Sequence, residues 1–161
     1  MTGPRITEVP GVPGPPRKLL ATLAVHPHLA SAFTRLGDTF FWNGVLAAEE
    51  RELVIMRAAG GRSAYVAEGH EPIARRAGVS QADIEDIAQP AYGGRWTDRQ
   101  AALLQACDEL MLGAALDERT HAALTEGHDP RELLELLVLV AFYRAVISIA
   151  RAYELEPEVI A

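Results

Sequence analysis

Two side chains able to move protons, Glu52 and His70, lie on either side of a glycine pair. Gly60-Gly61 interrupts helical propensity, and Arg62 or Ser63 is where a second helix can begin. If the flanking segments fold back on each other, the turn centres near Gly61. Glu52 lies nine residues before that point and His70 nine after it, so an antiparallel pair brings them level. In the second segment Ser63, Val66, His70, Ile73 and Ala77 are spaced 3, 4, 3 and 4 apart, which is one helical face. Four of these five are small or apolar, so the face, and His70 with it, turns inward. A buried imidazole requires a partner, and Glu52 is the nearest by this geometry. A carboxylate beside a histidine orients the ring and selects its tautomer, as a general acid/base near neutral pH needs. A core histidine tied to a structural glutamate has the same spacing, so the pattern alone leaves both readings open.

The elements that must hold this pair are helical. Helices are expected at 17–24, 27–42, 48–59, 63–77, 81–88, 98–113, 118–126 and 130–153. Pro27 suits a first helical position. Ser80 with Asp83 resembles a capping box, and Thr97 and Asp117 are N-cap residues. Asp129-Pro130 combines a cap with proline at the first turn, and Gly78 is a stop signal for the 63–77 helix. No segment sustains a period-2 alternation, so no sheet is expected. Pro72, inside the fourth helix, frees the carbonyl of Glu68 and either opens space beside His70 or is a tolerated bend. The last helix is apolar almost all round from Leu133 to Phe142, which suits the centre of a bundle or a subunit interface. Arg51-Glu52-Leu53 and Arg131-Glu132-Leu133 each open a helix, as a duplicated hairpin or as coincidence. Residues 1–16 carry Pro4, Pro10, Pro13, Pro15 and Pro16 and read as an arm outside the helical domain at 17–161.

Composition narrows the function classes. The chain has 161 residues, 49% hydrophobic and 23% charged, which suits a single domain with its own core. A net charge of −7 without a basic run argues against nucleic acid as a partner. The stretch Leu133 to Phe142 is interrupted by Glu135 and is too short to span a bilayer, so no membrane role is expected. No basic region followed by an apolar segment opens the chain, so no secretion signal is read. The single Cys107 fits a reducing cytoplasm and lies on an apolar helical face with Leu103, Leu110 and Met111, as a core residue does. No pair of histidines has the i, i+4 spacing of a helical zinc site, so no metal or other cofactor is expected. No phosphate loop or nucleophile elbow is present. Ser63 and His70 are two turns apart, about 10 Å along the axis, too far for a nucleophile–base pair.

The run Arg51-Glu52-Leu53-Val54-Ile55-Met56-Arg57, a short break, then Ser63 through His70, Ile73-Ala74 and Ala77-Gly78 resembles the carboxymuconolactone decarboxylase family. This superfamily includes the alkylhydroperoxidase D proteins. His26-Pro27-His28-Leu29, Trp96 through Leu110, and Phe142-Tyr143-Arg144 extend the likeness over most of residues 17–156. The resemblance implies an all-α domain of about eight helices that assembles with itself as a trimer, or as a hexamer built from trimers. It also implies where a redox site would lie. That branch uses two cysteines three apart and a histidine four residues after the second, assisted by a glutamate from the preceding helix. Those positions fall on Ser63, Val66, His70 and Glu52, so both cysteines are absent. Thiol redox chemistry needs a thiolate, which neither serine nor valine supplies.

The decarboxylase branch acts on a carboxylated unsaturated lactone without metal or organic cofactor. On that reading His70 and Glu52 deliver a proton to carbon. Arg57 or Arg144 grips a carboxylate, unless each serves only in a salt bridge. Tyr65, Trp42 and Trp96 are candidate pocket walls, and Ser63 joins them as a substrate-binding candidate. The expectation is a cofactor-independent lyase or isomerase acting on a small carboxylated or enolisable metabolite. The alternative is a ligand-binding or scaffold member of the family that has lost catalysis, with residual hydroperoxidase activity behind both.

Overall fold

The computed structural model describes residues 17–89 and 95–158. The proline-rich arm and the Gly93-Gly94 pair lie outside the described residues. Eight helices follow in order among those described: α1 (Arg17–Leu23), α2 (Pro27–Trp42), α3 (Ala48–Ala59), α4 (Ala64–Ala77), α5 (Gln81–Asp86), α6 (Asp98–Met111), α7 (Glu118–Gly127) and α8 (Pro130–Ala152). No strand occurs among them.

Local chemistry sets most of the boundaries. Capping boxes close the N-termini of α5, α6 and α8 through Ser80/Asp83, Thr97/Gln100 and Asp129/Glu132. Asp117 caps α7, and the Ser63 hydroxyl caps α4 by accepting from the Val66 N–H. Ser63 therefore stands just outside the helix that the spacing places it in. Gly78 ends α4 at φ 106°, a conformation that favours glycine. Pro72 lies inside a continuous α4, so the bend it imposes does not break the helix.

α3 is the axis of the domain. It is buried from Glu52 to Ala59 and packs on α4, α6 and α8. The apolar pattern of α8 suits a bundle centre or a subunit interface. That helix buries Leu136, Leu139, Val140, Tyr143, Val146, Ile147 and Ala150, but Leu134 and Leu137 stay exposed. With 23 residues α8 is long and apolar enough to cross a membrane by length and composition, beyond the Leu133 to Phe142 stretch considered above. Here its buried face packs on α1, α2, α3, α4, α6 and α7, as a core helix does.

The α3–α4 hairpin forms as the spacing predicts. Gly61 takes φ 67° at the turn, where a side chain would be strained. Before α3 the chain is held by Glu135, the charge that interrupts the apolar run of α8. Its carboxylate accepts from the N–H groups of Val45 (2.5 Å) and Leu46 (3.3 Å). A Cβ at Gly44 would lie 2.5 Å from the Phe40 carbonyl oxygen and 2.7 Å from Glu135 Oε1, so only glycine lets the carboxylate approach.

Two charged clusters fasten α3 to its neighbours. Arg57 pairs with Asp108 of α6 through Nε–Oδ1 (2.8 Å) and Nη2–Oδ2 (2.6 Å), and donates to the carbonyls of Ile87 and Gln89. Arg99 of α6 holds Glu50 of α3 and Glu132 of α8 and donates to the Gly127 carbonyl. Removing one member of a buried ionic group leaves the other charge uncompensated. Arg57→Ala is therefore expected to lower the unfolding free energy by about 3 kcal/mol, read as a lower midpoint in urea at unchanged slope. Glu135→Ala orphans two N–H groups and is expected to cost about 1–3 kcal/mol. A midpoint unmoved by either change would refute the corresponding role.

Candidate active site

The antiparallel hairpin brings Glu52 and His70 level, as the spacing predicts, and into direct contact. Glu52 Oε2 lies 2.9 Å from His70 Nδ1. The Glu52 side chain has no exposed surface and His70 is buried. The other carboxylate oxygen, Oε1, accepts from Arg51 Nε at 2.9 Å. His70 Nε2 lies 3.0 Å from the hydroxyl of Tyr143 on α8. Arg51, Glu52, His70 and Tyr143 thus form one continuous polar chain drawn from three helices.

The hydrogen bonds fix most of the proton positions. An ionised Glu52 can only accept, so His70 Nδ1 carries its proton toward the carboxylate. In a neutral ring Nε2 is then an acceptor, and the Tyr143 O–H donates to it. Burial, reinforced by the Glu52 charge, pushes the Tyr143 phenol well above its ordinary range, so the hydroxyl keeps its proton. If His70 gains a proton, Nε2 becomes a donor and the Tyr143 hydroxyl must turn elsewhere.

That elsewhere is a cavity of about 530 Å³ between α1, α2, α4 and α8. Leu19, Leu23, Phe33, Phe41, Val66 and Phe142 supply apolar wall, and Arg51, His70 and Tyr143 supply polar groups on the same lining. The guanidinium of Arg51 stacks over the Phe41 ring, 4.4 Å from its centroid. A mostly apolar cavity with a few convergent polar groups is the usual form of a small-molecule site.

Of the residues expected to bind substrate, Tyr65 and Trp42 line the cavity. Trp42 is 80% exposed. The Tyr65 hydroxyl is turned away to the C-terminal segment, where it donates to Glu158 at 2.8 Å and accepts from the Leu19 N–H at 3.3 Å. Burial and the Glu158 carboxylate raise the Tyr65 phenol above its ordinary range, so it acts here as neutral wall. The other candidates lie outside this lining. The Ser63 hydroxyl is the cap of α4. Arg57 belongs to the Asp108 cluster. Arg144 lies beside Gly113 and the Leu110 carbonyl on the exposed side of α8. Trp96 packs in a second core cluster with Leu53 and Leu104. Cys107 is fully buried, its thiol pushed up to about 12 by burial, so it carries no thiolate near neutral pH. Among the described residues no group of three His, Cys, Asp or Glu could hold a metal ion.

Tyr143 and Arg51 are the functional candidates that the sequence reading passed over. Tyr143 had a signal. Leu136, Val140, Tyr143, Ile147 and Ala150 are spaced 4, 3, 4 and 3 apart, which turns Tyr143 inward and its neighbour Arg144 outward. Arg51 had none, because α3 is buried almost all round and no stripe marks its inner face.

The comparisons agree with this architecture. No curated protein matches the chain. Among solved structures it is similar to a protein of unknown function from Agrobacterium tumefaciens provisionally assigned to antioxidant defence as AhpD, with 18% identity over 85% of this chain and 95% of that one at a TM-score of 0.76. It is similar to the debrominase Bmp8, solved as a C82A variant with 2,3,4-tribromopyrrole, with 17% identity over 88% of this chain and 76% of that one at a TM-score of 0.76. An AhpD-core, peroxidase-related protein from Ralstonia eutropha JMP134 shares 21% identity over 86% and 75% at a TM-score of 0.74. The fold is therefore that of the alkylhydroperoxidase D-like proteins. The carboxymuconolactone decarboxylase family model matches residues 27–109, a span holding Arg51, Glu52 and His70, and the chain belongs to that family.

Proposed function

We propose that this protein is a cofactor-independent acid/base enzyme of the lyase or isomerase type, acting on a small carboxylated or enolisable metabolite in the apolar cavity. The observation that carries the reading is the Glu52–His70–Tyr143 chain, which puts a charge-oriented imidazole and a neutral phenol on the wall of a mostly apolar cavity. Glu52 holds the ring and its tautomer. His70 is the proton reservoir, and Tyr143 touches both the ring and the cavity.

In proton abstraction the Tyr143 O–H hands its proton to Nε2 as the hydroxyl oxygen takes one from the substrate carbon. The phenol thus never stands ionised. In proton delivery the same path runs backward. For decarboxylation the carbon–carboxylate bond breaks, carbon dioxide leaves, and the electron pair passes into a conjugated carbonyl. The carbon then takes its proton from Tyr143, a protonated His70 returns its Nε2 proton to the phenol, and the neutral ring regains one proton from solvent before the next turnover. A buried, pre-oriented chain needs no solvent rearrangement during either step.

The similarity to a debrominase solved with a small halogenated ring supports a small, planar guest. The assembly and setting that go with the reading are a self-associating trimer or hexamer in the cytoplasm. The competing reading, a binding or scaffold protein, accounts for the Glu52–His70 pair as a register-setting contact, but it gives no role to the polar groups that line the cavity. A residual hydroperoxidase lacks a thiol, as Cys107 is buried on the α6 side of α3 with its thiol toward the Val54 carbonyl.

His70→Ala is expected to lower turnover of a converted carboxylated or enolisable substrate by about 10²–10⁴-fold. Because the change strips buried Glu52 of a partner, the unfolding midpoint should also fall, and turnover is compared at a temperature where circular dichroism shows the variant folded. Turnover that survives in a folded His70→Ala variant would end the catalytic role of His70. Cys107→Ala should leave turnover as it is.

A further inference from the structure

The Arg51 guanidinium is only partly used. Its side chain is 11% exposed. Nε donates to Glu52, and Nη1 donates to the Phe40 carbonyl at 3.2 Å. A guanidinium has five N–H donors. Three of them have no partner among the described residues, on a side chain that lines the cavity. Unspent donors at a half-dry wall are costly, and an oxyanion that fills them recovers that cost.

Charge balance adds a condition. Arg51 and Glu52 cancel, and a neutral His70 leaves the polar chain with no net charge. A bound carboxylate then brings an uncompensated negative charge into an apolar site. One proton on His70 restores neutrality. The same proton makes Nε2 a donor to the Tyr143 oxygen, which releases the Tyr143 O–H toward the cavity. Protonation thus supplies both the missing charge and one more donor for the anion.

We infer that Arg51 and Tyr143 form an oxyanion site for planar, apolar carboxylates, and that binding there takes up one proton from solvent onto His70. This deepens the reading above, since it rests on the cavity being the substrate site. It also means that the anionic substrate itself loads the acid.

Charged and titratable groups reach the surroundings of His70 from four helices. From α3 they are Arg51 and Glu52, and from α8 Tyr143. α2 contributes Asp38, which is exposed and lies on the cavity lining, where it opposes anions in proportion to their charge and so favours a monoanion over a dianion. On α4 itself Tyr65 shares the lining but spends its hydroxyl on Glu158. α1 presents only Leu19, Leu20 and Leu23.

Titration calorimetry of the full chain with benzoate and with benzamide, a charged and a neutral probe of one shape, tests this. Runs at one pH in two buffers of different ionisation enthalpy give the proton uptake. Benzoate should bind at least about tenfold tighter than benzamide. Over a pH series the uptake should reach close to one proton, and where it does so the affinity falls about tenfold per pH unit. Benzamide should take up none. Arg51→Gln should erase the preference for benzoate. Because that change also strips Glu52 of a partner, Tyr143→Phe serves as a second variant that keeps the ring, and it should weaken benzoate about tenfold. Equal affinity for the two probes, absence of proton uptake, or no binding of benzoate to the unaltered chain would each overturn the inference. These are binding readouts. A chain that takes up benzoate with a proton yet converts no substrate would sink the enzyme reading alone, and turnover without proton-linked anion binding would sink this one alone.

Discussion

A carboxylate with no exposed surface has to be neutralised where it stands, because leaving it unpaired in a core costs far more than most side chains contribute. Glu52 is such a group, and the helices around it are arranged to meet the demand. Arg51, the preceding residue of the same helix, takes one oxygen, and His70 from the next helix takes the other. The second contact requires α3 and α4 to run antiparallel at a fixed register, which Gly61 makes possible with its positive φ. His70 in turn leaves one ring nitrogen to satisfy, and Tyr143 of α8 supplies the hydroxyl. The register of three helices can thus be followed outward from one buried charge.

α3 carries several buried charges, and their neighbours separate structure from function. Glu50 and Arg57 are tied into ion pairs that bind α3 to α6, and beyond it to α8 and the segment after α5. Both meet partners that are partly open to solvent, and neither borders the cavity. Only the Glu52 chain reaches the cavity lining. The three clusters involve similar chemistry on one helix. What distinguishes the third is that it keeps donors unspent and empty volume next to them.

The helices and their limits were legible in the sequence because caps and stops act locally. Ser80, Thr97, Asp117 and Asp129 each bond to backbone within three residues, so their positions needed no tertiary knowledge. The Glu52–His70 contact was also legible, since a glycine hinge and equal spacing set it. The arginines were not. Arg57, Arg144 and Arg51 offer the same guanidinium, and which one meets a cavity depends on what packs beside each. Asp108 claims Arg57, the turn of α8 faces Arg144 outward, and the Phe41 ring holds Arg51 over the cavity. The two Arg-Glu-Leu runs carry different roles. Glu52 orients a histidine, whereas Glu132 closes a capping box and pairs with Arg99.

The positions where the redox branch of the family keeps its cysteines show what kind of chemistry the fold retains here. Ser63 spends its hydroxyl as the cap of α4, and Val66 presents an apolar side chain to the cavity. Neither can take part in electron transfer, and the one remaining thiol is sealed behind α3 with its proton held tightly. Yet the glutamate and histidine that serve proton transfer in that branch are both in place and in contact. The Glu52–His70 contact therefore needs no thiol at positions 63 and 66, which lie at the start of α4 with His70 further along it. With a cap at position 63 and a valine at 66, the Glu52–His70 contact forms and Val66 adds apolar wall to the cavity. In such surroundings an oriented imidazole and a neutral phenol interact more strongly with a developing charge than they would in water.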